Sequence, residues 1–145
     1  MTNESIEAEL GRLSNEFFLS VSFEPGTKPD YHHIFSLFID EGLLIKNVGD
    51  VCEICSVSQF IAPRQALVNK GELTRFYEAE LTQTTVIFGN IAHRFSAYEK
   101  SGTQNDRPFS ARGMISTQFV RTRAGWRMSA MAWDDERPGL TLDID

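Results

Sequence analysis

Cysteine is scarce in this chain of 145 residues, which carries only Cys52 and Cys55, both in the run VCEICS. A CxxC pair can serve redox chemistry or half a zinc site, but a structural zinc site wants four ligands and there is no second pair. His32 and His33 could in principle complete a ligand set. Free cysteine is more commonly a small buried hydrophobe, so neither a metal nor a cofactor is expected. Positive charge is also short, with 14 Lys and Arg against 20 Asp and Glu and a formal net charge of -6. Binding to a phosphate backbone needs clustered cations, so no nucleic-acid partner is expected. No segment approaches the ~20 apolar residues of a membrane span. The acidic start MTNESIEAEL lacks the basic region and apolar run of a secretory signal, which makes the cytoplasm the expected location. Gly-rich phosphate loops, nucleophile elbows, Ser-His-Asp signatures, repeats, linkers and low-complexity segments are missing too. What remains is a single domain over 1–145, long enough for one real core.

Apolar periodicity supplies the elements. Ile6, Leu10, Leu13, Phe17 and Val21 recur at steps of three and four, predicting an amphipathic helix over 5–22. FEPGTKPD breaks it, and Asp30 is placed to cap a second helix holding Tyr31, Ile34, Phe35 and Phe38, ended by Asp40-Glu41-Gly42. Leu43-Leu44-Ile45 then begins a short strand. Ser56 to Gln59 has capping-box spacing and predicts a third helix, kinked or restarted near Pro63 and closed by Gly71. Strands follow, over 72–82, 86–100, 109–121 and 126–135. The tail GLTLDID is expected to be loose or to dock as an extra strand. Helices first and long consecutive strands last is the pattern of an α+β domain with an antiparallel sheet.

In the last two strands, alternation puts Gly113, Ile115, Thr117 and Phe119 on one face and Arg112, Met114, Ser116, Gln118 and Val120 on the other. The same count, carried past the turn at Ala124-Gly125, sets Trp126, Met128, Ala130 and Ala132 against Arg127, Ser129, Met131 and Trp133. Neither face is plainly polar. Such a sheet must be covered twice, by helices on one side and by a second subunit or another layer on the other.

The order of elements, with FGNIAHRFSAYEK at 88–100, ARGMISTQFV at 111–120 and GWRMSAMAWDDE at 125–136, resembles the nuclear transport factor 2-like superfamily, and more narrowly its bacterial SnoaL-like branch. The resemblance implies a cystatin-like cone fold, a strongly curved antiparallel sheet wrapped around a pocket that N-terminal helices close. It implies a homodimer packed through the sheet. The superfamily holds isomerases, dehydratases, cyclases, adaptors and members without a role, so function has to be argued from the site. Against the ketosteroid isomerase pattern, Lys46 stands where the aspartate base would be, Phe17 or Phe18 replaces the tyrosine, and Thr117 replaces the acid. That mechanism is therefore not expected. The same alignment turns Phe119, Met128, Ala130 and Ala132 toward the cavity and Arg112, Gln118, Arg127 and Trp133 outward.

Candidate chemistry rests on few residues. His93, mid-strand between Ile91 and Phe95, could be a pocket acid or base, or a core histidine satisfied by one hydrogen bond. Tyr31 and His32 could face it from the opposite wall, although Asp30 and Tyr31 could equally cap and pack. Lys46 could be a base of lowered pKa, or could snorkel to solvent. Glu78 and Glu80 share a face with Phe76 and, if inward, need Arg94 or Arg112 as partner. Phe17, Phe35, Phe119, Met128 and Ala130, with Lys46, are the expected ligand contacts. Three readings follow: a binder of a small, mainly apolar molecule; a lyase or isomerase using His93 with Tyr31 or His32; and an association module whose pocket is filled by its own side chains.

Overall fold

The computed structural model describes residues 2–144. Helix α1 spans Asn3–Val21, its start capped by the Thr2 hydroxyl, which accepts the Ser5 N–H at 3.1 Å. Its apolar stripe of Ile6, Leu10, Leu13, Phe17 and Val21 is buried, as the spacing of three and four requires. A 3-10 turn over Tyr31–Ser36 follows, then β1 (Phe38–Lys46), β2 (Glu53–Ser56), α2 (Val57–Asn69), β3 (Leu73–Phe88), β4 (Ile91–Gln104), β5 (Arg107–Thr122) and β6 (Gly125–Asp135). The strands form one curved sheet in the order β2-β1-β6-β5-β4-β3. Every pairing is antiparallel except β1 with β6, which is parallel. The helices pack on one face only, α1 against β3 and α2 over β1 and β3. This is the α+β architecture that helices first and strands last predict.

Three departures from the sequence reading have local causes. The second helix is a 3-10 turn, whose repeat of three aligns Tyr31, Ile34 and Leu37 inward, all at most 3% exposed, and leaves His32 and Phe35 outside. Asp30 makes no side-chain cap to it. Asp40, Glu41 and Gly42 lie inside β1 rather than ending a helix. They form a bulge between the residues paired with Met128 and Ala130, and Gly42 is needed there because a Cβ would sit 2.7 Å from the Phe38 ring. The first long hairpin turns at Gly89, in the left-handed region at φ 58°, so Gln83 to Thr85 continue β3 instead of interrupting it. Helix α2 starts where expected, with both capping-box bonds made by Ser56 and Gln59, but it runs through Pro63 without restarting. The tail adds no strand among the described residues, only a bridge of Arg137 with Leu140, and Asp145 lies outside them.

Two further bulges decide which side chains reach the interior. Glu80 pairs with Tyr98 and Thr82 with Ala97, which makes Leu81 the extra residue of β3. Gln118 pairs with Ala130 and Phe119 with Met128, which makes Ser129 the extra residue of β6. Since strand side chains alternate, one inserted residue exchanges the two faces for the rest of the strand. Trp126 and Met128 face inward as expected, but beyond Ser129 the inward residues are Met131 and Trp133, both buried. Ala130 and Ala132 are turned to the outer face, where Ala132 pairs with Ser116. The expected placement of Ala130 toward the cavity and of Trp133 away from it is therefore reversed.

Candidate functional site

Between the sheet and its helical roof lies a cavity of about 510 Å³. Phe17 and Val21 reach it from α1, Tyr31 from the 3-10 turn, and Phe60, Pro63, Arg64 and Leu67 from α2. Lys46 of β1 and Glu53 of β2 form one rim, as cross-strand neighbours. The floor comes from the far ends of the long strands: Phe76 and Glu78 of β3, Lys100 of β4, Ala111 and Ile115 of β5, and Met131, Trp133 and Asp135 of β6. Phe60 bridges roof and floor through an edge-to-face contact with Trp133, centroids 6.0 Å apart. The wall is thus mainly rings and aliphatic chains, with Glu78, Lys100 and Asp135 grouped at one end.

That polar end has a definite order. Glu78 and Lys100 are register partners across the β3–β4 ladder, which brings their side chains together on the inner face. The Lys100 ammonium pairs with the Asp135 carboxylate at 3.0 Å. The Tyr98 hydroxyl, on a fully buried ring, donates to the same carboxylate and to the Asp134 carbonyl at 3.1 Å. Burial, and then the bond to Asp135, push the Tyr98 phenol far above its usual range, so it stays a donor. Glu78 has no hydrogen bond to its carboxyl from any described residue, and its backbone N–H donates to the Ser22 hydroxyl at 3.1 Å. Burial pushes its carboxyl up to about 7, against the opposing pull of Lys100 and Arg64. A carboxyl poised near neutrality inside a cavity can take up or release a proton there.

Arg64 and Tyr31 close the site from above. The Arg64 guanidinium lies 3.7 Å above the centre of the Phe60 ring and donates to the Phe60 carbonyl at 2.9 Å. Burial pulls its pKa down from the usual arginine value. Burial also raises the Tyr31 phenol, partly offset by the nearby Arg64.

Of the residues singled out from sequence, Phe17, Tyr31 and Lys46 line this cavity. Phe119 and Met128 face inward but are fully buried in the packed core and do not line it. Ala130 is on the outer face, for the reason given above. His93 is exposed on the outer face of β4, paired with Val86 and Gln118, because the inward residues of that stretch are Ala92, Arg94 and Ser96. His32 is exposed too, stacked on Phe35 with centroids 5.5 Å apart, and neither reaches the cavity. The titratable group near neutrality that lines this cavity is Glu78, not His93. Sequence reading expects Arg94 or Arg112 as partner to one of Glu78 and Glu80 if their face turns inward, and Arg94 takes Glu80, which leaves Glu78 without an arginine contact among the described residues. Arg94, 6% exposed, is bidentate to Glu80 at 3.0 and 2.7 Å, and Ser96 donates to Glu80 at 2.7 Å. Arg64, Lys100, Trp133 and Asp135 were not foreseen. The signal available was the pairing of Glu78 and Glu80 with Tyr98 and Lys100, each two apart on adjacent strands. No group of three or more His, Cys, Asp or Glu that could hold a metal occurs among the described residues.

A strongly curved six-stranded sheet closed by helices over a partly charged pocket defines a cone-fold protein, and the chain has the nuclear transport factor 2-like fold. It is similar in structure to a nuclear transport factor 2-like superfamily protein from Salmonella enterica, with a TM-score of 0.77 at 15% identity over 94% of each chain. It is also similar to a conserved protein from Planctomyces limnophilus, with a TM-score of 0.76 at 15% identity over 92% of this chain and 98% of that one. A third similar structure is the hexachlorocyclohexane dehydrochlorinase LinA-type3 of Novosphingobium barchaimii, with a TM-score of 0.75 at 9% identity over 93% and 89%. No family sequence model and no curated protein sequence matches the chain. At these identities the likeness carries the fold alone. No helix among the described residues is long and apolar enough to cross a membrane.

Proposed function

We propose that the protein binds a small, mainly apolar molecule in the cavity between sheet and helices. The observation that carries this reading is the cavity itself, about 510 Å³ walled by Phe17, Phe60, Phe76, Ile115, Met131 and Trp133. Small-molecule sites are typically ~300–1,000 Å³, mostly apolar and furnished with a few convergent polar groups. A pocket filled by its own side chains would be smaller, which counts against a purely associative role. The test is titration with a neutral apolar fluorophore, N-phenyl-1-naphthylamine, against the protein and its Ala111→Trp variant, which fills the floor. Saturable binding lost in the variant supports the reading, and binding undiminished by the variant overturns it.

A second reading, proton transfer on the bound molecule, is favoured by one feature: Glu78, poised to about 7, next to the Lys100–Asp135–Tyr98 chain. In such a site Glu78 would be the base or acid, with Lys100 and Tyr31 as donors toward developing negative charge. This is lyase or isomerase chemistry, and the similar dehydrochlorinase makes elimination a sensible first class to screen. Turnover of a β-substituted apolar compound should rise with pH through about 7 and vanish in Glu78→Gln. Turnover surviving that change would exclude Glu78.

The functional unit in this proposal is a homodimer. The outer face of the sheet carries cross-strand rows without a charged residue: Thr84, Phe95, Ser116, Ala132 and Ile45, then Val86, His93, Gln118, Ala130 and Leu43. Phe88 at 82% exposure and Ile91 at 51% extend the apolar surface. In a chain of net charge -6, these charge-free rows are where a second copy meets least repulsion. Light scattering at micromolar concentration should return twice the chain mass, and a monomer there would refute it.

A further inference from the structure

We propose that the molecule held in the cavity is a monocarboxylate, an apolar body bearing one carboxylate that pairs with the Arg64 guanidinium. This rests on the pocket reading above and adds the chemical class of its ligand. The starting point is charge balance within the cavity. Lys100 is matched by Asp135 at 3.0 Å, and Lys46 has Glu53 as its neighbour across the β1–β2 ladder. Arg64 has no carboxylate within 4 Å among the described residues. Its direct partners among the described residues are the Phe60 ring and the Phe60 carbonyl, and both hold it in place without neutralising it.

A guanidinium desolvated in an apolar wall with no carboxylate in direct contact is costly, and a ligand that supplies one recovers that cost. Stacking on Phe60 fixes the plane of the fork, and a planar fork suits two parallel N–H···O bonds to a carboxylate. A single negative charge fits better than two. The same cavity contains Glu53, Glu78 and Asp135, so a phosphate dianion would meet repulsion that one carboxylate largely avoids. Glu78, protonated below about 7, can then donate to a carboxylate oxygen rather than oppose it. The apolar remainder of the ligand lies against Trp133, Phe76 and Met131.

The experiment uses two isosteric probes, 2-naphthoate and 2-naphthalenemethanol, titrated by the fluorescence of the protein at pH 6. The quantity read is the ratio of their affinities. Charge-assisted hydrogen bonds predict a preference for the carboxylate on the order of 10- to 100-fold. Arg64→Met should bring the ratio close to one, and Arg64→Lys, which keeps the charge but loses the fork, should restore part of it. Equal affinities in the unaltered protein overturn the carboxylate assignment while leaving the pocket reading intact. A preference that persists in Arg64→Met overturns the role of Arg64. Binding of neither probe overturns the pocket reading itself.

Discussion

Replacing Glu78 by glutamine isolates the energetic consequence of placing a carboxyl in this cavity. In the unfolded chain the group ionises near 4.5, and in the folded protein burial holds it neutral up to about 7. Below 4.5 both states carry the proton and nothing distinguishes them. Between those values the unfolded chain releases its proton while the folded chain keeps it, so unfolding gains progressively as pH rises. Above about 7 both are ionised and the penalty levels off. Raising a carboxyl from 4.5 to about 7 corresponds to about 3 kcal/mol. Glutamine, of similar shape and uncharged, avoids that penalty. Thermal melts of the two proteins should therefore nearly coincide at pH 4, and at pH 8 the variant should melt higher by about 10 °C. Groups whose pKa is lowered, such as Glu16 hydrogen-bonded to His33, change both proteins alike and cancel in the difference. A melting difference that stays constant from pH 4 to 8, or a variant less stable at pH 8, would refute the reasoning.

Other perturbations test the frame around the site. Glu80→Gln should cost about 3 kcal/mol in urea unfolding by leaving Arg94 buried without its counter-charge, and adding Arg94→Met should recover much of the loss. A double variant no more stable than Glu80→Gln alone would count against that pairing. At Gly113 an added methyl would collide with the Asp134 carbonyl oxygen and the Tyr98 hydroxyl, so Gly113→Ala should lose about 1–3 kcal/mol by the same measurement. On the outer face, Phe88→Lys should shift light scattering toward the chain mass while leaving the melting of the monomer nearly unaltered, because Phe88 is 82% exposed.

Much of the architecture was legible because periodicity is a local property. The stripe of α1, the capping box of Ser56 and Gln59, and the inward set Gly113, Ile115, Thr117 and Phe119 follow from spacing alone, and the structure has them so. Facing was lost where spacing is interrupted by one residue. Ser129 carries no turn signature, yet as the extra residue of β6 it exchanges Ala130 for Met131 and Ala132 for Trp133 on the inner face. Leu81 does the same in β3: counted back from Thr85, which faces in with Arg94, strict alternation would bring Leu81 and Ala79 inward. The bulge instead places Glu80 under Arg94 and Glu78 in the cavity beside Lys100. The candidate site is thus a product of two insertions that hydrophobic patterning averages over. Chemistry-bearing residues two apart on neighbouring strands, such as Glu78 and Glu80 opposite Lys100 and Tyr98, carry the better signal. Charged side chains in such a ladder go inward only if each finds a partner, and here Glu80 finds Arg94, Asp135 takes Lys100, and Glu78 is left to hold its proton.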